Sequence, residues 1–281
     1  MGVIPGDTEG VPLVILVLAG TSDAGEIINE LATRGLVVLA SSLTAYGTQL
    51  ARAAGAGQVL TGPLDAVGME EVLARYPVRL LVDATHPFAT GASAAAHAAA
   101  LRKGVPYLRW ERPPVNPTCP GIYRPAGWEE SARMAFSLGR VVFLTVGTRH
   151  LAPFAAEAAR EPGRRLVVRI LPVAESLAFC HQCGLLPSQI VAMQGPFSRE
   201  LNRALFSFYR AEVVVTKESG PQGGVAAKIA AAQDLHLPVV IVERPASLPG
   251  PATGRIEEIV AKALEVNKAE NWGDYPGPRQ P

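Results

Sequence analysis

The sequence predicts an α/β protein of two Rossmann-like domains, each a parallel sheet covered by helices, facing each other across a cleft. Three observations lead there. Short apolar runs alternate with helix-like stretches along nearly the whole chain, the pattern of strands buried on both faces and joined by crossover helices. Several of those runs end in clusters of glycine, hydroxyl and charged residues. One stretch, Arg112–Pro125, carries five prolines and a single glycine and interrupts the alternation. The boundaries that follow are a first domain at 11–112, a linker at 113–125, a second domain at 126–266 and a flexible tail at 267–281.

Taken in order, Leu13–Ala19 is an apolar strand, Asp23–Arg34 a helix and Leu36–Ser42 a second strand. A short helix at Thr48–Ala54 and a brief strand at Gln58–Leu60 follow. Asp65 is placed to cap a helix ending at Arg75, which leads to a strand ending at Asp83. The small residues of Thr90–Lys103 make a helix, and Val105–Trp110 the next strand. Beyond the proline-rich stretch, helices are expected at Trp128–Leu138, His150–Ala159, Ala174–Cys183, Ser198–Tyr209, Val225–Asp234 and Ile256–Val266. The strands between them are Arg140–Thr145, Arg165–Ile170, Gln189–Met193, Val213–Thr216 and Val239–Val242.

With 26 basic and 25 acidic residues in 281, the chain has no charge field to recruit nucleic acid or anionic lipid. Its apolar runs are too short to span a bilayer. Leu13–Ala19 has the apolarity of a signal segment but no basic residues precede it, so a cytoplasmic protein is expected. Cys119, Cys180 and Cys183 make no disulfide framework in a chain of this size. Cys180-His181-Gln182-Cys183 lacks the second ligand pair that a structural zinc needs, and no metal site is expected.

The strand ends carry the chemistry. Val82-Asp83-Ala84-Thr85-His86-Pro87-Phe88-Ala89 places a carboxylate, a hydroxyl, an imidazole and a proline within five positions after a buried strand. Ligands of open α/β sheets sit at such carboxyl ends, so a ligand site is expected here. The competing reading is that Asp83 and Thr85 cap the next helix. After the first strand, Ala19-Gly20-Thr21-Ser22-Asp23-Ala24-Gly25-Glu26 has the two-glycine spacing of a P-loop. Glu26 stands where that loop requires lysine, so a nucleoside-triphosphatase site is not expected. A glycine turn with Thr21 and Ser22 at a helix N-terminus remains, able to cradle a diphosphate or to serve as a plain βα turn capped by Asp23. The second strand ends at Ser41-Ser42-Leu43-Thr44 with neither the acid expected for NAD nor the arginine expected for NADP. The hydroxyls of Ser41, Ser42 and Thr44 are the candidates to meet a ribose or its phosphate.

These segments, with Tyr107–Pro113, Leu144–Thr148, Gln194–Ser198, Val215–Gly220, Gly223-Gly224, Lys228 and Pro238–Pro245, occur in the same order in a known family. The chain resembles the precorrin-6A and cobalt-precorrin-6A reductases of cobalamin biosynthesis from about Leu13 to Pro245. It departs at Ala19, where the family tends to carry a second glycine. It also departs at Thr44-Ala45-Tyr46-Gly47, where the oxygen-dependent branch usually shows arginine; this looks more like the anaerobic branch, whose substrate holds cobalt.

The resemblance implies reduction of a macrocycle double bond by hydride from NADH or NADPH. The implied cofactor contacts are Gly20, Thr21, Ser22, Ser41, Ser42, Thr44, Asp83, Ala84, Thr85, His86 and Pro87, with His86 as a proton relay or a loop-positioning group. A flat tetrapyrrole rich in carboxylates calls for arginine forks and lysines. Arg109, Arg112, Lys217 and Lys228 are the candidates, or else solvated charges beside strand ends. Thr148, Gly195, Phe197, Ser219 and Gly224 lie in the turns that would receive the substrate. The expected partner is this small molecule, with at most transient contacts to neighbouring pathway enzymes. The alternatives are a different NAD(P)-dependent reductase or epimerase, which would want a Tyr–Lys acid pair, and a nucleotide-binding sensor without chemistry.

Overall fold

The computed structural model describes residues 13–111, 120–220, 223–244 and 250–268. The chain forms two compact units, the first from described residues up to 111 and from 250 onward, the second from 120 to 244. Each unit holds a six-stranded, wholly parallel sheet, as the alternating pattern predicts.

The first unit runs β1 (Val14–Leu18), α1 (Ser22–Ala32), β2 (Val37–Ser42), α2 (Ala45–Ala53), β3 (Gln58–Thr61), α3 (Ala66–Arg75), β4 (Val78–Asp83), α4 (Thr90–Lys103) and β5 (Tyr107–Trp110). After the second unit the chain returns with β12 (Ala252–Thr253) and α10 (Ile256–Lys268). The sheet order is β12-β5-β4-β1-β2-β3. β1 is buried at every residue because both sheet faces are covered. On one face Ile27, Ile28 and Leu31 of α1 pack with Ile259, Val260 and Ala263 of α10. On the other, Met69, Val72 and Leu73 of α3 meet Ala96, Ala99 and Ala100 of α4. The small side chains of α4 let that helix approach the sheet closely, and Gly104 ends it at φ +66°.

The second unit runs β6 (Ile122–Tyr123), α5 (Gly127–Leu138), β7 (Val141–Leu144), α6 (Ala152–Ala158), β8 (Arg165–Ile170), α7 (Ala174–Gln182), β9 (Ile190–Ala192), α8 (Arg199–Phe208), β10 (Val213–Lys217), α9 (Val225–Asp234) and β11 (Val239–Val242). Its order is β6-β11-β10-β7-β8-β9. Phe143 of β7 lies edge-on to Phe206 of α8, with ring centroids 5.0 Å apart, at the centre of one face.

Two differences from the sequence reading concern connectivity. The helix expected at 256–266 in the second domain belongs instead to the first unit, where its apolar stripe covers α1 and β4. Its amphipathic pattern specifies that a face is buried, not which sheet buries it. The span expected as linker contains strand β6 at its end, paired with β11, while 113–119 lie outside the described residues, as do 269–281 of the expected tail.

Candidate active site

In the first sheet the strand order reverses at β1: β2 follows on one side and β4 on the other. The crevice outside the carboxyl ends at such a reversal is where open α/β sheets bind ligands. Four cross-links shape it. Thr21 is the N-cap of α1, accepting from the Ala24 N–H at 3.3 Å, and its hydroxyl donates to the Ala84 carbonyl at 3.1 Å. One side chain therefore ties the turn after β1 to the turn after β4. Trp110 Nε1 donates to Asp23 Oδ2 at 2.7 Å, joining the end of β5 to the first turn of α1. The other two links converge on Asp83.

Asp83 is sealed from solvent. Its Oδ1 accepts from the Thr85 N–H at 3.0 Å, and its Oδ2 accepts from Tyr107 Oη at 2.8 Å and Arg109 Nη1 at 2.6 Å. Arg109 Nη1 also contacts Ser93 Oγ, which sits 3.1 Å from Thr85 Oγ1. Burial by itself would raise the Asp83 carboxyl; the Arg109 guanidinium and its hydrogen-bond donors outweigh that and hold it below the usual range. Burial, then the Asp83 charge, pushes the Tyr107 phenol up.

These contacts correct part of the sequence reading. Asp83 and Arg109, expected to touch cofactor and substrate, are buried and paired with one another at 2.6 Å. Asp83 and Thr85 do not cap α4 either, since Ala89 is its N-cap and no side chain caps it. Asp23 is not the cap of α1; Thr21 is. Ser41 and Ser42 are buried, and Ser42 Oγ is turned back to the Thr44 carbonyl at 3.4 Å. A Cβ at Gly47 would lie 2.1 Å from Ser42 Oγ, so a glycine roofs that hydroxyl. Residues 43–46, directly after this strand, are exposed, Leu43 and Thr44 among them.

Gly20 and Ser22 are exposed at the N-terminus of the 11-residue α1. A Cβ at Gly20 would meet nothing closer than Thr85 Cα at 4.0 Å. Across the crevice, His86 Nδ1 accepts from the Phe88 N–H at 3.2 Å.

In the second sheet the order reverses between β7 and β10. Thr145 Oγ1 donates to the Val215 carbonyl at 2.8 Å, locking those two strand ends together. Ser219 is buried, and a Cβ at Gly223 would lie 1.8 Å from its hydroxyl. Gly224, at φ +64°, is the N-cap of α9, and Lys228 Nζ donates to the Gly223 carbonyl at 2.8 Å. Buried Glu218 pairs with Arg244 and accepts from the Gly220 N–H at 3.1 Å. Thr148 and Lys217 are half-buried at the same edge, and Gly195 is exposed next to Phe197. Arg112 lies outside the described residues.

Sequence reasoning missed three participants. Trp128 stacks on His150 with ring centroids 3.9 Å apart and planes 6° from parallel. Burial, then Lys217 and Arg149, lower the His150 pKa, with Glu129 opposing. Arg169, inside an apolar strand, is the third, and only its charge in that run marks it in the sequence. No helix of the described residues is long and apolar enough to cross a membrane, and no cluster of metal-binding side chains occurs among them.

The family model described as precorrin-6x reductase CbiJ/CobK matches residues 14–264. The cobalt-precorrin-6A reductase of Methanothermobacter thermautotrophicus is 40% identical over 266 residues, covering 92% of this chain and 86% of that protein. That of Priestia megaterium is 36% identical, covering 88% and 96%. The solved structure titled CobK precorrin-6A reductase matches with a TM-score of 0.71 at 27% identity, covering 91% of this chain and 97% of that one.

Proposed function

We propose that this chain, which belongs to the precorrin-6x reductase family, reduces a macrocycle double bond of cobalt-precorrin-6A in cobalamin biosynthesis, with NADH or NADPH as hydride source. The names of the two relatives given above, and the absence of arginine at Thr44–Gly47, favour the cobalt-containing substrate over the metal-free one.

The observation that carries the reading is the crevice at the β1/β4 reversal. Its turn is open at Gly20 and Ser22, beside a helix N-terminus, and backed by the Thr21, Asp23 and Asp83 cross-links. This set fits a dinucleotide: the N–H groups of the turn suit a diphosphate, and Thr44 at the β2 end suits a ribose. When bound, the nicotinamide supplies the hydride. The protein's contribution is position and dryness. Ala84, Thr85 and Pro87 lie in the loop that Thr21 and Asp83 hold, and would line the nicotinamide site. His86, whose Nδ1 accepts from the Phe88 N–H, positions the loop after β4, and the proton that accompanies the hydride comes from solvent.

In the second unit, Thr148, Gly195, Phe197, Lys217, Ser219, Gly224 and Lys228, in the turns after its strands and the helix that follows them, would receive the tetrapyrrole. The test is anaerobic incubation of the purified protein with cobalt-precorrin-6A and either nicotinamide, following absorbance and product mass. Stoichiometric nicotinamide oxidation with a gain of two hydrogens supports the reading. Tight nicotinamide binding without turnover overturns it.

A further inference from the structure

Three cationic side chains are buried among the described residues: Arg109, Arg169 and Lys228. Arg109 has Asp83. Arg169 and Lys228 have no carboxylate partner among the described residues, although charges this deeply buried are nearly always paired. Both belong to the second unit, and they act on each other: burial first, then Arg169 and Lys217, lower the Lys228 pKa to about 7. Burial lowers Arg169 to about 10. Two buried cations therefore stand without a carboxylate partner among the described residues.

The surroundings prepare Arg169 for an anion. Its guanidinium carbon lies 3.9 Å from the centre of the Phe197 ring, which fixes the plane of the fork. Nη1 donates to Asn202 Oδ1 at 2.8 Å. Asn202 in turn donates to the carbonyls of Phe197 and Ser198 at 3.3 and 2.8 Å, so the turn before α8 and the guanidinium hold one another. The remaining N–H groups of Arg169 have no acceptor among the described residues and keep a small contact with solvent. Lys228 holds the turn before α9 through the Gly223 carbonyl at 2.8 Å.

We propose that Arg169 and Lys228 form a carboxylate receptor at the carboxyl edge of the second sheet, taking one peripheral carboxylate of the substrate between a planar fork and a point charge. This rests on the substrate class proposed above. A phosphate of the nicotinamide is the other anion that this chemistry could meet; the exposed turn at Gly20 already offers that phosphate its place.

Proton uptake follows. The groups acting on Lys228 are Arg169 from β8 and Lys217 from β10, both positive, while the nearby carboxylate of Glu218 is engaged by Arg244. With its pKa about 7, Lys228 is largely neutral at pH 8. A carboxylate beside it favours the ammonium, so binding draws a proton from solution.

The experiment compares wild type, Arg169→Gln and Lys228→Gln. Each variant is expected to raise the tetrapyrrole KM about tenfold or more, as for loss of a charged hydrogen bond, and to leave the nicotinamide KM unmoved. Calorimetry of substrate binding at pH 8, in buffers of different ionisation enthalpy, is expected to show proton uptake by wild type and none by Lys228→Gln. An unchanged tetrapyrrole KM in both variants overturns the receptor, as does a rise confined to the nicotinamide KM. If Arg169→Gln does not fold, Lys228→Gln decides alone. If wild type neither binds nor reduces the tetrapyrrole, the proposed function fails, and citrate serves as probe: proton uptake by wild type that Lys228→Gln loses upholds the receptor, and its absence overturns it.

Discussion

The indole of Trp110 donates to the carboxylate of Asp23 across 87 positions of sequence, at 2.7 Å. It thereby anchors the first turn of α1, and with it the Gly20–Ser22 turn, to the end of β5. A hydrogen bond to a charged acceptor contributes about 1.5–3 kcal/mol. Trp110→Phe keeps the ring bulk and removes the donor. It is expected to lower stability by roughly that amount in urea titration and to weaken nicotinamide binding more than tetrapyrrole binding. Unchanged stability would remove the tie from the account.

Asp83 and Arg109 form a buried pair, and removing one partner strands the other charge. Asp83→Ala or Arg109→Met alone is expected to cost about 3–5 kcal/mol. The double variant should cost much less than the sum, a coupling that a double-mutant cycle measures.

The same network sets a pH window. The Asp83 carboxyl is held below its usual value, so its contribution to stability is present above about pH 4 and is lost as pH falls through the lower native value. Tyr107 is raised, so its contribution is full below about pH 10 and declines at higher pH. Urea titrations of wild type and Tyr107→Phe across both ranges check the signs: the alkaline decline should diminish in the variant.

Gly223 must remain glycine because a Cβ there would lie 1.8 Å from Ser219 Oγ. Gly223→Ala is expected to displace the turn that Lys228 holds and to raise the tetrapyrrole KM. Ser219→Gly in the same chain removes the obstructing hydroxyl and should restore most of the loss. Failure of the second substitution to rescue would place the defect elsewhere.

Much of this architecture was legible in the sequence. Apolar runs such as Val14–Leu18 and Val239–Val242 read as strands covered on both faces and are buried strands, and Asp65 caps α3 where its side chain predicts. The return of β12 and α10 to the first sheet was not legible, because the face of α10 is equally apolar toward either sheet. The short strand β6 is too brief for a periodic signal.

At the site, the motifs located the strand ends but not the direction of their side chains. Asp83 and Arg109 read as ligand contacts because an acid and a base at strand ends suit both binding and mutual neutralisation. The structure shows the mutual pairing, at 2.6 Å, which the sequence does not specify. Arg169 was invisible for the opposite reason: it lies within an apolar strand, and its place beside Phe197 and Asn202 arises from a turn and a helix about 30 residues onward.

The most direct measurement uses NADH or NADPH deuterated at carbon 4 on the transferred face, with cobalt-precorrin-6A under anaerobic conditions. Catalysis by direct hydride transfer predicts a product carrying one deuterium from the nicotinamide and one solvent-derived hydrogen, formed in step with nicotinamide oxidation. A product free of deuterium, or nicotinamide bound and never oxidised, would contradict it.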